Sequence, residues 1–352
     1  MTADRLLDVE DLDVSFSTED GLVQAVDGVS FHLDRGEVLA LVGESGSGKS
    51  VSVMTLLGLT RAPNARFGGR AVLHAPGGDV ELVEAPDAAL RRLRGSELAM
   101  IFQDPMTSLN PVHRVGSQIV EQILAHEDLP AAEARERTIA LLDRVGIARA
   151  RSRVDDYPHE FSGGMRQRVM IAMALSCSPS VLIADEPTTA LDVTIQAQIL
   201  ERIRALKDEE SAGVILVTHD LGVVAELADR VAVMYSGRIV ETGTLDEVFY
   251  DPQHPYTWGL IGSITRLDLP RPPRLPSISG SPPSLVSRPQ GCHFRPRCPH
   301  EFGKCAEDPA LEARIPGNAS HSDRCWLPLE EKRQKREVMP DQIGLEAEAP
   351  TA

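Results

Sequence analysis

The chain has 352 residues, of which 42% are hydrophobic, enough for about two domains with full apolar cores. Asp and Glu number 52 against 36 Lys and Arg, giving a formal net charge of −16 and a pI near 5.1. This excess of negative charge disfavours nonspecific binding to nucleic acid and to anionic lipid. The first residues lack the basic and apolar regions of a signal peptide, and no apolar run approaches about 18 residues. We therefore expect a chain without a membrane span of its own.

Hydrophobic alternation over residues 6–35 predicts an antiparallel ribbon with its turn at residues 19–22. Phe16, near the end of the first strand of this ribbon, is placed for stacking on an adenine base. Taken alone, Phe16 is also a reasonable core residue, and both interpretations stay open.

A glycine-rich motif follows the short apolar strand at residues 38–42. Its glycines let backbone amides turn inward around an anion, and the helix after it points its positive end at the same place. Lys49 can reach the β- and γ-phosphates, and the Ser50 hydroxyl suits Mg²⁺. The motif therefore predicts a nucleoside triphosphate site. It fits G-x-x-x-x-G-K-[ST] and reads Gly43, Glu44, Ser45, Gly46, Ser47, Gly48, Lys49, Ser50.

Polar residues follow other runs that are typical of buried parallel strands. Because the carboxyl ends of parallel strands meet at one sheet edge, we expect these polar side chains to lie near the phosphates. Asp185 is expected near the metal, Glu186 toward the attacking water, and His219 as a donor to the γ-phosphate. Gln103 is expected to meet the metal or a water. Each also has an ordinary structural explanation when taken alone. The runs are 98–102 before Gln103, 180–184 before Asp185 and Glu186, and 214–218 before His219.

Helical periodicity in residues 115–126 and 131–145 predicts a helical insertion at about residues 110–165. The segment 161–165, Phe-Ser-Gly-Gly-Met, opens a further helix and offers amides and a hydroxyl to an anion. By itself this segment is only a helix cap.

The C-terminal part changes in composition. Residues 270–289 contain 7 prolines and 5 serines and predict an extended, semi-rigid segment. Four cysteines follow, and their thiolates suit zinc or an iron–sulfur cluster, with four free thiols as the alternative. Residues 329–352 are charged and lack periodicity, which predicts a disordered tail. The cysteines are Cys292, Cys298, Cys305 and Cys325.

Taken in order, these motifs resemble the ATP-binding subunits of ABC transporters over about residues 6–250. The resemblance implies an α/β P-loop NTPase fold, with an ABC-type nucleotide-binding domain over residues 6–265. That domain comprises a parallel core sheet, an antiparallel β subdomain and a helical subdomain, and residues 266–328 form a small Pro- and Cys-rich extension. The matching pieces are Phe16, the loop 43–50, Gln103, the segment 161–165, Asp185 with Glu186, residues 190–192, and His219.

The same resemblance implies ATP hydrolysis with ATP and Mg²⁺ bound. Two ATPase subunits pair head to tail, so that Ser162, Gly163 and Gly164 of one subunit complete the site of the other. Asp192 belongs to the nucleotide-binding set, Ser50, Gln103 and Asp185 to the Mg²⁺ set, and Glu186, His219 and Gln103 to the catalytic set. Phe161 and Met165 depart from the common leucine and glutamine, so no ribose contact is assigned to position 165.

The tail around residues 280–298 resembles the C-terminal extension of the oligopeptide and dipeptide importers. That family implies a peripheral protein at the cytoplasmic face of the cell (inner) membrane. Its partners are two transmembrane permease subunits, an extracytoplasmic substrate-binding protein and often a second, different ATPase subunit, with a homodimer as the alternative. Some members are thought to hold a four-iron cluster, so the resemblance favours [4Fe-4S] over Zn²⁺ at the four cysteines.

Other functions remain open from sequence. Relatives import nickel or glutathione, and importer-like ATPases also serve soluble multi-enzyme complexes such as phosphonate breakdown. A soluble ATPase acting on nucleic acid is disfavoured by the net charge of −16 and by the lack of coiled-coil insertions or a second cassette. We therefore expect no nucleic-acid partner.

Overall fold

Two sheets organise the computed structural model, which describes residues 4–104, 108–188, 193–263 and 277–337. The smaller is antiparallel and has four strands in the order β2-β1-β4-β5. Its first two strands bury Leu7, Leu12, Val26 and Val29 in one apolar cluster. The predicted ribbon over residues 6–35 is confirmed. The strands are β1 (Arg5–Thr18), β2 (Gly21–Asp34), β4 (Ala65–Ala75) and β5 (Gly78–Glu81).

The larger sheet has eight strands in the order β11-β12-β10-β9-β3-β8-β7-β6. Its centre is parallel, since β3 pairs with β8 and β9, and β7 pairs with β6 and β8. Every residue of β3, β7 and β8 is buried, as continuous apolar runs are in a covered parallel sheet. The strands are β3 (Val38–Val42), β6 (Leu98–Ile101), β7 (Val181–Asp185), β8 (Gly213–Thr218), β9 (Arg230–Tyr235), β10 (Arg238–Thr244), β11 (Glu312–Ala313) and β12 (Ser322–Asp323).

Helices surround the sheets, and those from α3 to α6 form a helical part with an apolar cluster of its own. The predicted α/β fold with a parallel core sheet, an antiparallel β subdomain and a helical subdomain is confirmed. The helices are α1 (Lys49–Leu56), α2 (Asp87–Leu93), α3 (Val115–His126), α4 (Ala131–Arg144), α5 (Ala150–Arg153), α6 (Gly163–Ala174), α7 (Val193–Glu210), α8 (Leu221–Leu227), α9 (Leu245–Tyr250), α10 (Pro255–Gly262) and α11 (Leu329–Glu337). Among the helices in these ranges, none is long and apolar enough to cross a bilayer.

The C-terminal extension joins the main sheet, because β12 pairs antiparallel with β10. The junction is reinforced by Glu241 of β10, whose buried carboxylate accepts the backbone N–H groups of Gln253 at 2.5 Å and His254 at 2.9 Å. His321 of the extension completes this contact, with Nε2 2.8 Å from Glu241 Oε1. The described part of the extension is therefore attached to the main sheet by strand pairing and by a buried polar cluster.

The prediction of a disordered tail from residue 329 is wrong for residues 329–337, which form α11. This helix has few apolar residues, but the Lys332 ammonium is buried and donates to the buried Asp323 Oδ1 at 2.7 Å. Arg336 of the same helix pairs with Asp251. Charge pairing with the core thus orders a segment whose composition suggests disorder. Residues 338–352 lie outside the described residues.

Candidate functional site: the phosphate loop and its surroundings

The loop of residues 43–50, here called the phosphate loop, needs glycine at two points. Gly43 has φ +149° and Gly48 has φ +101°, a region that other residues rarely adopt. A Cβ at Gly43 would lie 2.2 Å from the Met234 carbonyl oxygen, and one at Gly48 would lie 2.4 Å from that of Ala25. The loop is therefore packed directly against neighbouring backbone, which fixes its shape.

Lys49, the first residue of α1, lies at the centre of this loop and is 6% exposed. Its ammonium donates to the carbonyl oxygens of Gly43 at 2.7 Å and Glu44 at 3.0 Å. Burial lowers the pKa of Lys49, while the carboxylates of Glu186, Asp185 and Glu44 act to raise it. The ammonium of Lys49 and the positive N-terminal end of α1 therefore lie together at this loop, an environment suited to an anion.

Asp185 ends β7 next to the phosphate loop and is 1% exposed. The Ser50 hydroxyl donates to Asp185 Oδ1 at 3.0 Å, and burial raises the pKa of Asp185. The two side chains meet because β3 and β7 flank β8 and end at the same sheet edge. A hydroxyl and a carboxylate at this spacing are hard oxygen ligands of the kind that Mg²⁺ prefers.

Glu186 lies at the centre of a three-residue cluster. Its backbone adopts φ +48°, and its N–H donates to the Val217 carbonyl at 2.8 Å. Its carboxylate accepts from Gln103 Nε2 at 2.9 Å and lies 3.0 Å from His219 Nδ1. Three residues predicted to follow separate strands therefore converge.

The imidazole of His219 is limited in the hydrogen bonds that it can donate. A neutral ring that donates from Nδ1 has an acceptor at Nε2, so only the doubly protonated ring can bind Glu186 and also donate to a phosphate.

The signature segment, residues 161–165, starts α6 in the helical part. Ser162 caps the helix by accepting from the Met165 N–H at 3.4 Å, while Phe161 is buried in the helical cluster. Ser162 and Gly163 are exposed to solvent. Sequence reasoning missed Gln167 of α6, whose amide donates to the Pro187 carbonyl at 2.7 Å and ties this helix to the turn that follows Glu186.

Two predicted nucleotide contacts have less structural support. Phe16 is half-buried and packs at the margin of the main apolar cluster, so a contact with adenine stays a prediction. Asp192 lies outside the described residues.

The four C-terminal cysteines line one small cavity of about 20 Å³, here called the cysteine cavity, together with His254 and His300. Burial raises the pKa of Cys292, that of Cys298 to about 11 and that of Cys325 to about 12, so these thiols are neutral. In the described residues, no group of three or more His, Cys, Asp or Glu is spaced to hold a metal ion. Four cysteine sulfurs are suitable ligands for a metal or an iron–sulfur cluster. The cavity, however, has room for about one water molecule and is too small for an iron–sulfur cluster.

Two residues without any sequence signal for this role contact Glu44 of the phosphate loop, Arg297 from the extension and Tyr256 from α10. Arg297 donates to the Glu44 carboxylate at 2.6 and 3.0 Å, and the Tyr256 hydroxyl accepts from the Glu44 N–H at 2.8 Å. Arg297 lies within the segment 280–298, but nothing in the sequence relates either residue to position 44, and the tertiary fold brings them there.

Comparisons with known proteins agree with this geometry. The family described as "ABC transporter" matches residues 26–189, and the family described as "Oligopeptide/dipeptide transporter, C-terminal region" matches residues 240–305. The oligopeptide transport ATP-binding protein OppD of Escherichia coli is 51% identical over 94% of this chain and 95% of its own. The chain belongs to the ABC transporter ATP-binding family. Within that family, the dipeptide transport ATP-binding protein DppD of Bacillus subtilis is 49% identical over 92% of this chain and 95% of its own.

Solved structures of ABC proteins share the fold. The ATP-binding cassette MJ0796, a dimer in a post-hydrolysis state with ADP and Pi, gives a TM-score of 0.61 at 23% identity, over 68% of this chain and 99% of its own. The cbiO1 protein of Clostridium perfringens, part of the ABC transporter complex cbiONQ, gives a TM-score of 0.57 at 30% identity, over 70% of this chain and 92% of its own. The chain is therefore an ABC-type ATPase, and its ABC domain binds ATP.

The close packing of Gly43 against the Met234 carbonyl leads to a first prediction. We expect Gly43→Ala to weaken ATP binding by about tenfold or more, because a strained positive φ costs about 1–3 kcal/mol and the new Cβ collides with the Met234 carbonyl. Titration of the purified chain with a fluorescent ATP analogue measures this. Gly77→Ala is the matched control, since a Cβ there meets nothing within 4 Å. Unchanged affinity in Gly43→Ala would contradict the steric argument.

Proposed function

We propose that this chain is the ATP-hydrolysing subunit of a membrane importer of oligopeptides or dipeptides. The observation that carries the proposal is the match of residues 240–305 to the C-terminal region of oligopeptide and dipeptide transporters, on the same chain as the phosphate loop. This match, and relatives such as OppD and DppD, favour peptide import over a nickel or glutathione importer and over a soluble multi-enzyme complex.

In the proposed reaction, water attacks the γ-phosphate, and the protein supplies positioning and charge more than covalent chemistry. Lys49 neutralises phosphate charge from the centre of the phosphate loop. Glu186 accepts the proton of the attacking water. Gln103 and His219 orient that carboxylate through the hydrogen bonds at 2.9 and 3.0 Å, and His219 in its doubly protonated form also donates to the γ-phosphate.

Mg²⁺ fits the oxygen ligands beside the phosphate loop. Ser50 and Asp185 would hold it, with Gln103 adjacent, and it would supply charge neutralisation for the β- and γ-phosphate oxygens. The exposed signature segment supports a head-to-tail pair of ATPase subunits, in which Ser162, Gly163 and Gly164 face the nucleotide of the partner. Asp192 and Phe16 complete the proposed nucleotide contacts.

An apolar groove supports attachment to membrane permease subunits at the cytoplasmic face of the membrane. The groove has a volume of about 420 Å³ and lies between the end of β6 and helices α3 and α6, with Phe102, Met170 and Met173 in its lining. Phe102 directly precedes Gln103, so an occupant of the groove would contact the segment that carries a catalytic side chain. A permease segment with an apolar face is therefore the occupant we propose. The wider proposed assembly has two permeases, a second ATPase and an extracytoplasmic substrate-binding protein, without nucleic acid.

The cysteine cavity is the proposed position of a [4Fe-4S] cluster, with Zn²⁺ as the alternative. Support comes from the four cysteines that line one cavity, and binding would require them to move outward and lose their protons. We expect anaerobically purified protein to contain about four irons per chain, and Cys298→Ser to lose them. Cys177→Ser, outside the cavity, is the matched control. One zinc per chain would replace the cluster, and absence of both metals would leave four free thiols.

The role of Glu186 predicts that Glu186→Gln lowers turnover by about 10²–10⁴-fold, the usual contribution of a general base. ATP affinity should be retained, because the amide keeps the size of the side chain and Glu186 is not among the residues assigned to bind the nucleotide. Steady-state ATPase assays with ATP-binding titrations test this. Glu226→Gln, an exposed residue on α8, is the control and should behave as wild type. Near-normal turnover in Glu186→Gln would exclude Glu186 as the base.

The importer role predicts which proteins accompany this chain. When the tagged chain is isolated from gently solubilised membranes of its native cells, we expect two polytopic permeases and a second ATPase to be identified by mass spectrometry. Substitution of Met173 by Asp in the apolar groove should release the permeases without abolishing ATP binding. Recovery only in the soluble fraction, with metabolic enzymes or nucleic acid, would favour the soluble ATPase instead.

A further inference from the structure

The guanidinium of Arg297, a residue of the cysteine-rich extension, binds the phosphate loop through the Glu44 side chain. Arg297 Nη1 donates to Glu44 Oε2 at 2.6 Å, and Nη2 donates to Glu44 Oε1 at 3.0 Å, a bidentate arrangement. The Arg297 side chain is only 3% exposed, and that of Glu44 is 28% exposed. Bidentate pairs of this kind combine charge with fixed geometry, so the contact restrains the Glu44 side chain in position as well as in charge.

The guanidinium is itself rigidly held. Its Nε donates to the Ser279 carbonyl at 2.9 Å, and Nη1 also reaches the Tyr235 hydroxyl at 3.3 Å. The rings of Tyr235 and Phe294 lie 5.7 and 5.9 Å from its central carbon. Hydrogen bonding to Glu44 raises the pKa of Arg297 above its usual range, so the group stays charged. Arg297 is therefore a fixed cation.

Glu44 in turn determines the shape of the phosphate loop. Its carbonyl oxygen accepts from Lys49 Nζ at 3.0 Å and from the Ser47 N–H at 3.2 Å. Its N–H donates to the Tyr256 hydroxyl at 2.8 Å. With its side chain held by Arg297, both its backbone groups and its carboxylate are fixed. A displacement of Glu44 would therefore move the lysine and the amides that contact phosphate.

We propose that Arg297 is a positioning residue of the nucleotide site, which fixes Glu44 and neutralises its carboxylate so that the phosphate loop accepts the triphosphate. The inference deepens the proposed ATPase function and rests on it. Without Arg297, an uncompensated carboxylate would stand beside the phosphates, where like charges repel. The C-terminal extension then contributes directly to ATP binding.

Arg297→Met tests the proposal, since it keeps much of the apolar stem and removes the charge. We expect the ATP affinity of the purified full-length chain to fall about 10- to 100-fold, by the usual contribution of a hydrogen-bonded charge pair. The KM for ATP should rise with turnover at saturating ATP near wild type. Arg297→Lys, which keeps the positive charge but cannot make the bidentate contact, should lose less ATP affinity. The control is Arg295→Met in the same turn, because Arg295 pairs with Glu301 and not with Glu44.

A double-variant comparison separates positioning from general damage to the fold. Glu44→Gln combined with Arg297→Met should bind ATP better than Arg297→Met alone, because the unpaired carboxylate is gone. Wild-type affinity in Arg297→Met, an equal loss in Arg295→Met, or strictly additive effects in the double variant would each overturn the proposal. Failure of the wild-type chain to bind ATP would instead refute the ATP site itself.

Discussion

The parallel pairing of β6, β7, β8 and β3 is the constraint on which the site depends. Because all four strands run in the same direction, the residues that follow them emerge at one edge of the sheet. The strand pairing brings together side chains from four separate parts of the sequence. These side chains belong to Lys49, Gln103, Asp185 with Glu186, and His219. The antiparallel sheet and the helical part add surfaces around that edge, but they do not create it.

Much of this arrangement was predictable because the relevant signals are local. The phosphate loop needs glycines at fixed spacing, and continuous apolar runs such as residues 181–184 are typical of buried parallel strands. The convergence of Gln103 and His219 on the Glu186 carboxylate was less predictable. Sequence position indicates the sheet edge at which a side chain lies, but the hydrogen bonds it makes depend on rotamers and on backbone features such as the positive φ of Glu186.

The C-terminal part was harder to predict because its order comes from long-range contacts. The charged helix α11 is held by the buried pair of Lys332 with Asp323, and neither residue has a sequence context that indicates burial. Likewise, Arg297 belongs to a turn between two cysteines, and nothing in the motif connects it to residue 44. The spacing of the cysteines indicates that they can act together, but it does not fix the distances between their sulfur atoms.

One hydrogen bond of α6 has a consequence for a paired assembly. Gln167 joins the helix of the signature segment to the Pro187 carbonyl, directly after Glu186 of the same chain. In a head-to-tail pair, the signature segment would face the nucleotide of the neighbouring subunit. The residues that face the neighbour's nucleotide would then lie about one helical turn from Gln167, which contacts the turn after Glu186 of its own chain. In such a pair, this amide would provide a direct contact between the helix that faces one nucleotide and the turn beside the other.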